Sequence, residues 1–442
     1  MKPSVKRIVS VFLVLFLLTV FLSCGRSEEP ELFYSYDSSE GEWSKYSFYV
    51  DEFHYYEELN RKTMERTAYR LIKRNKETGE LSHVCIDPVC SHEPYSDCPL
   101  TSLYGMNTAG QCVGDWLGFA RVPDIMQSNE FHSPSDRFLC IYNLSTGESR
   151  TIVETGSGEQ FYARPFKNII YIMLPDLVDG KTVYKLSSYD PDEDKWAELI
   201  VFDKMFMITA VSNKRIYLAE LTLAPIEGTE SFSVDHNGKN RREEPEMNMP
   251  IAFTDGGTAY GSAYRDLEVE SSRRVHAGYY YKFNVNTREY VRIPESEGAS
   301  VLGLWKGKLV YATCKDLELG VGINKWEYAR ENGLDASDPE VSNAVNEIRN
   351  RVFFGDRMYI KVCDTDGTNA ETLFEYPGIF IGNGSIDGDC MTVQCSYLDP
   401  ETGRQAQKTQ RIDLNTGELE DVPVYTLGDS DKVYTRPKQG GG

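Results

Sequence analysis

The chain of 442 residues is poor in positive charge and carries none of the common catalytic signatures. It has no Gly-x-Ser-x-Gly elbow, no phosphate-cradling glycine loop and no His-Glu-x-x-His helix, so serine-hydrolase, nucleotide and zinc-protease chemistry lose their usual sequence basis. Lysine and arginine number 47 against 68 acids, a formal net charge of −21. Nucleic acid and anionic lipid surfaces both demand a basic face, so neither is expected as a partner. A membrane-spanning helix is missing too: the N-terminal apolar run from Ile8 to Leu22 is shorter than the roughly 20 residues a permanent span requires.

That run follows Lys2, Lys6 and Arg7, the charge and hydrophobicity order of an export signal. It ends in Phe21-Leu22-Ser23-Cys24-Gly25, which resembles the lipobox of bacterial lipoproteins, with Phe21 where that pattern prefers Leu. The resemblance implies a signal peptide over residues 1–23, a diacylglycerol on Cys24, and display on the outer face of the cytoplasmic membrane of a Gram-positive cell. Two or more acyl chains supply an anchoring that one cannot. Residues 24–44 are acidic and aperiodic, and read as a lipidated N-terminus followed by a tether.

What the chain has in quantity is aromatic and turn residues: 28 Tyr, 20 Phe, 35 Gly and 19 Pro. These suit pleated, half-buried strands better than helices. A hairpin phrase recurs: an aromatic strand, Asn or Asp, a short turn, then a polar residue and another strand. Its copies are Asn75-Lys76-Glu77-Thr78-Gly79-Glu80, Asn143-Leu144-Ser145-Thr146-Gly147-Glu148 and Asp413-Leu414-Asn415-Thr416-Gly417-Glu418, with looser copies at Asp190, Asn284 and Asp364. Asn and Asp side chains cap such turns through their own backbone, and Gly supplies a positive φ. Alternating segments such as Arg215–Ala219 and Lys308–Ala312 lie upstream of most copies.

Four short antiparallel strands per unit, repeated, predict an all-β fold, a six-bladed β-propeller over residues 45–425 followed by a C-terminal tail over 426–442. Successive phrases begin 47 residues apart at the closest and 94 apart between Asp190 and Asn284. Seven blades is therefore the alternative, with an extra one between Lys204 and Val275. Against it, Asp235–Glu246 is polar and free of aromatics, and reads as an excursion within an insertion loop over 222–274. A second insertion spans 316–351 in the fifth blade. There Asp338-Pro339-Glu340 caps a helix whose apolar positions are Val341, Val345, Ile348 and Val352. This helix either roofs one face of the ring or shields a blade edge.

The segment Cys363-Asp364-Thr365-Asp366-Gly367-Thr368-Asn369-Ala370-Glu371-Thr372-Leu373 resembles the repeat phrase of TolB-like propellers. With its lipobox, the chain is similar to uncharacterised propeller lipoproteins of Gram-positive, clostridial-type bacteria. That resemblance implies contacts with a protein or glycan at a propeller face and no shared catalytic residues. Asp364, Asp366 and Glu371 are oxygen donors that suit calcium, but lack the full loop that calcium sites use, so a plain hairpin turn is the competing reading.

One stretch is chemically loaded. Residues 83–99 hold His83, Cys85, Cys90, His92 and Cys98, between the first and second blades. Cys85, Cys90, His92 and Cys98 form a three-sulfur, one-nitrogen set that suits tetrahedral zinc in a closed, structural site. Outside the cytoplasm the same cysteines are candidates for a disulfide, and unbridged packing is the third reading. Nine cysteines remain once Cys24 is lipidated, an odd number that forbids complete pairing in one chain. The other six (Cys112, Cys140, Cys314, Cys363, Cys390 and Cys395) mostly sit in alternating strands and read as small core residues.

Two functions are consistent with these features. The first is a monomeric, non-enzymatic, lipid-anchored binding protein whose channel face and insertion loops contact a cell-envelope protein, peptide or glycan. The second is a cell-surface polysaccharide lyase or glycosidase of propeller fold. No catalytic residue stands out for the second, because carboxylate pairs are diagnosed by separation in space.

Overall fold

The computed structural model describes residues 29–34, 41–59, 61–103, 106–121, 137–155, 161–221, 230–247, 251–270, 273–293, 300–314, 321–323, 325–342, 344–345, 358–376, 379–380, 385–398, 405–422 and 432–435. Cys24 and the signal segment lie outside the described residues, as do Ile348 and Val352. No described helix is long and apolar enough to cross a membrane.

The described strands form seven sheets of four or five strands, antiparallel but for one pair in blade 1, arranged as the blades of a ring. Blades 2 to 7 occupy residues 106–155, 162–202, 206–243, 251–293, 300–376 and 379–422. Within each of these the strands, here A to D, follow one another in space as in sequence. Blade 1 is built from β1 (Tyr46–Leu59), β2 (Lys62–Asn75), β3 (Leu81–His83) and β4 (Thr101–Ser102). Its fifth strand, Val433–Thr435, pairs in parallel with Tyr56–Glu58 of β1 and comes from the far end of the chain. The segment 426–442, expected as a tail, thus contains the strand that closes the ring.

The ring has the seven blades of the alternative count rather than the six that the phrase count favours, and the extra one is blade 4. The stretch 222–274, expected as an insertion loop, contributes Ser231–Asp235 and Arg242–Glu243 to blade 4 and Ile251–Asp255 and Thr258–Glu270 to blade 5. Asp235 is itself a copy of the hairpin phrase. Its Oδ1 accepts from the amides of Asn237 and Lys239, and its own amide donates to the Lys239 carbonyl. The polar run that resembled an excursion is the C–D turn of a blade whose D strand has two residues.

Alternation explains the runs of apolar residues in the B strands of blades 4 and 6. Along Arg215–Glu220, Ile216 and Leu218 face blade 3 while Tyr217 faces blade 5. Along Lys308–Cys314, Leu309 and Tyr311 face blade 5 while Val310 and Ala312 face blade 7. Side chains on a strand point to opposite faces in turn, and here both faces are covered by a neighbouring blade. Each fully buried Phe or Tyr in these layers contributes roughly 2–3 kcal/mol.

In blades 2 to 7 every A–B connection is two or three residues, and every C–D connection is four to seven. Four of the C–D turns share one hydrogen-bond scheme. Asn143 Oδ1 accepts from Ser145 N and Thr146 N, Thr146 Oγ1 accepts from Glu148 N, and Gly147 N returns to the Asn143 carbonyl. Asn75, Asn284 and Asp413 repeat it. Connections longer than seven residues lie on the opposite rim, joining B to C or D to the next blade, with loop 84–100 the exception among described elements. The longest, 315–357, belongs to blade 6 in the seven-blade count. It carries the strand Val321–Ile323, which pairs with blade 5, and the helix Lys325–Glu331. The expected second helix is present over 339–342 and 344–345, where Val341 and Val345 pack with Ala329, Ala336 and Tyr328 as a small core of their own.

The tether expected over 24–44 is packed down at its centre. Glu31 and Phe33 are 6% and 7% exposed, and Phe33 bridges to Ser212.

Candidate metal centre

The Cys/His segment is an insertion inside an edge strand. β3 pairs with Ile72–Arg74 of β2 and β4 with Tyr69–Arg70, so the two are one D strand interrupted at Leu71. The feet of the loop meet there: Val84 N donates to the Leu71 carbonyl, and Leu71 N donates to that of Leu100. Between the feet the chain folds as three successive turns, Asp87–Cys90, Glu93–Ser96 and Cys98–Thr101, each closed by a backbone hydrogen bond of 3.1–3.2 Å. Pro88, Pro94 and Pro99 take the second place of each turn, where a fixed φ is an advantage. His92 and Tyr95 adopt positive φ, 53° and 63°, a cost the rest of the loop must offset.

These turns bring together all four side chains expected from the sequence. One ligand atom from each of Cys85, Cys90, His92 and Cys98 lies within 4.8 Å of the others, and Cys98 Sγ is 3.6 Å from His92 Nδ1. A tetrahedral zinc with Zn–S near 2.3 Å sets its sulfurs about 3.8 Å apart, so the loop needs to contract by about 1 Å at most. The three cysteines are free thiols in this structure. A disulfide would use two of them and leave a third thiol and an imidazole nitrogen converging on nothing, whereas one cation uses all four.

The electrostatics suit the same reading. Burial pushes the Cys98 thiol far above its usual range, with Cys85 and Cys90 adding to the effect, and a dication between the sulfurs would reverse it. Burial and the Arg70 guanidinium lower the His92 pKa, favouring the neutral imidazole that a metal takes. His83, outside the expected ligand set, packs against His92 with the rings tilted by 34° and their centroids 3.9 Å apart. Burial first, then His92 and Arg70, lower its pKa to about 4.

A cavity of 680 Å³ runs along the centre, lined by loop residues and by Tyr142, Thr146 and Gly147 of blade 2. Ile86 N donates to the Tyr142 hydroxyl at 3.0 Å. A Cβ on Gly147, at φ 78°, would stand 3.3 Å from Ile86. These seat residues were invisible as such, because they belong to the C strand and C–D turn of another blade. The far end of the loop reaches the ring closure: Tyr95 OH donates to Glu57 at 2.6 Å, Glu93 pairs with Lys432, and Tyr55 packs edge-on to both Tyr95 and Tyr434.

The other sequence candidates resolve as structure. Asp366 Oδ1 accepts from Thr368 N and Oγ1, Asp364 Oδ2 accepts from Asn369, and Glu371 pairs with Lys308, so the suspected calcium donors build a hairpin turn. Cys112, Cys140, Cys363 and Cys395 are buried core residues, and Cys390 is half-buried.

No family model and no curated protein matches the chain. Solved structures do. The β-propeller domain of the Trilobed protease from Pyrococcus furiosus is similar over 89% of this chain and 96% of its own, at 9% identity and a TM-score of 0.42. The acylaminoacyl peptidase of Pyrococcus horikoshii is similar over 70% of this chain but only 44% of its own, at 11% identity and a TM-score of 0.39. An oligogalacturonate lyase solved in complex with manganese covers 89% and 84%, at 10% identity and a TM-score of 0.29. The first of these is itself a β-propeller domain. At such identities the likeness is one of architecture, and no activity passes from them to this chain.

Proposed function

We propose that this chain is an exported lipoprotein, held by Cys24 at the outer face of the cytoplasmic membrane, whose propeller binds a cell-envelope protein, peptide or glycan without transforming it. Zinc held by Cys85, Cys90, His92 and Cys98 serves as a staple between blades 1 and 2. Four protein ligands leave no open position for substrate or water, which is the arrangement of structural rather than catalytic zinc.

The observation that carries the binding reading is the asymmetry of the ring. Loop 84–100 aside, the A–B and C–D connections of one rim are short turns, while the long connections and the packed helical insertion of blade 6 belong to the other. Rigid blades presenting variable loops on one side are a common basis for recognition. On the helix Lys325–Glu331, Trp326 is 71% exposed, the kind of aromatic that anchors interfaces.

A photo-cross-linking residue placed at Trp326 or Arg330, and in parallel at Thr146 on the short-turn rim, tests this in the native cell. Discrete adducts from the first two sites and none from the third are expected. Adducts confined to Thr146, or release of unsaturated or reducing sugar ends from envelope polysaccharide by the purified protein, would contradict it.

A further inference from the structure

The N-terminal segment Pro30–Tyr34 is gripped by blades 4 and 5 at the short-turn rim. Asn213 donates to the Pro30 carbonyl at 3.1 Å and accepts from Leu32 N at 2.9 Å. Asn286 grips in the same way, donating to the Glu31 carbonyl at 2.8 Å and accepting from Glu31 N at 2.7 Å. Phe33 N donates to Gly256 and Tyr34 N to Val211, both at 2.8 Å. The Glu31 carboxylate is buried and accepts from Ser212 Oγ and the Tyr217 hydroxyl at 2.7 and 2.6 Å. Phe33 packs against Tyr217 and Tyr34 against Phe166, with ring centroids 5.3 and 5.4 Å apart. Gly257 makes room for the grip, since a Cβ there would stand 2.4 Å from Asn286 Nδ2 and 2.9 Å from the Glu31 oxygen. A segment whose backbone groups are matched one by one is a docked element, and a loose tether has no use for a buried carboxylate with two hydroxyl donors.

Asn213 and Gly256 lie in the A–B turns of blades 4 and 5, and Asn286 lies in the C–D turn of blade 5. The strap therefore enters at the rim opposite the long connections. Six residue steps separate Cys24 from Pro30, and at about 3.5 Å each they reach no further than about 20 Å. Were the strap undocked, the leash would extend to the helical turn Gly41–Lys45, which Trp43 ties to Asp115, about 17 steps with a root-mean-square span near 23 Å and no preferred direction.

We propose that Pro30–Tyr34 is an orienting strap that holds the A–B and C–D turn rim toward the bilayer in which Cys24 is anchored, leaving the helix-bearing rim facing outward. The inference rests on the lipid-anchor reading above. The bilayer contact is enforced by the short leash and not by adsorption, because the turn rim mixes lysines such as Lys214 and Lys306 with acids such as Asp192, Glu193 and Asp389.

The test uses the full-length lipidated protein in phosphatidylcholine vesicles that carry an acceptor dye on their headgroups. A donor dye is attached through an unnatural residue at Lys306, on the turn rim, or at Arg330, on the insertion helix. Co-flotation with the vesicles and higher energy transfer from position 306 than from 330 are expected. A flexible insert of about 20 residues between Cys24 and Pro30 leaves the strap docked and should abolish the difference. Flotation with equal or reversed transfer would overturn the orientation while sparing the anchor. Failure to float would overturn both.

Discussion

At the residue scale the Cys/His cluster depends on how closely its loop fits its seat. Gly147 holds φ 78° and faces Ile86 at van der Waals distance. Gly147→Ala adds a left-handed penalty and a crowded methyl, and is expected to lower stability by about 1–2 kcal/mol, read as a drop in thermal midpoint. A different residue carries pH sensitivity. His236 is stacked on Phe166 at 4.6 Å and its Nδ1 lies 2.8 Å from the Tyr171 hydroxyl. Burial, the largest cause, lowers its pKa. An unfolded histidine takes its proton near pH 6.5, and the folded one resists until the pH is lower. The unfolded state therefore binds the extra proton, and His236 costs stability as pH falls below about 6.5 while contributing nothing above it. His236→Gln should flatten the fall in thermal midpoint between about pH 6.5 and 5, and an unchanged slope would contradict this assignment.

At the scale of elements, the loop is a link between two blades and the ring closure. Glu93 and Tyr95 face the closing strand while Cys85, Cys90, His92 and Cys98 converge at the other end. Fixing one end should steady the other. Hydrogen exchange at Val433–Thr435 is expected to quicken when metal is removed by a chelator or when Cys90→Ser opens the set, while the C–D turn of blade 7 at Asp413–Glu418 is unchanged. Equal exchange with and without metal would show the two ends to be independent. The turn phrases, the helix cap at Asp338 and the Cys/His cluster were legible before the structure, because each is local chemistry: a side chain capping its own backbone, or side chains a few residues apart. Blade 4 was not, because its phrase at Asp235 lacks the Thr and the acid of the regular copies and its D strand is two residues long. The strap was also hidden. Nothing in Glu31 or Phe33 announces partners near residues 212, 256 and 286, which only the fold brings together.

At the scale of the molecule, the ring separates its features by rim: an N-terminal strap and short turns on one side, most of the long connections and an exposed tryptophan on the other. Stability is spread over layers between blades, so a core truncation acts on two neighbours at once. Phe232→Ala, in the layer shared by blades 3 and 4, should cost about 3–5 kcal/mol in denaturant unfolding without lowering metal content. That Cys85, Cys90, His92 and Cys98 are one closed metal centre is tested most directly by metal content alongside thiol titration of the mature chain, purified without oxidant. About one zinc per chain, with three thiols protected until the metal is removed and both effects lost in Cys90→Ser, is the predicted result. Absence of metal, with two of the thiols missing from titration and restored by reductant, would contradict it and establish a disulfide in its place.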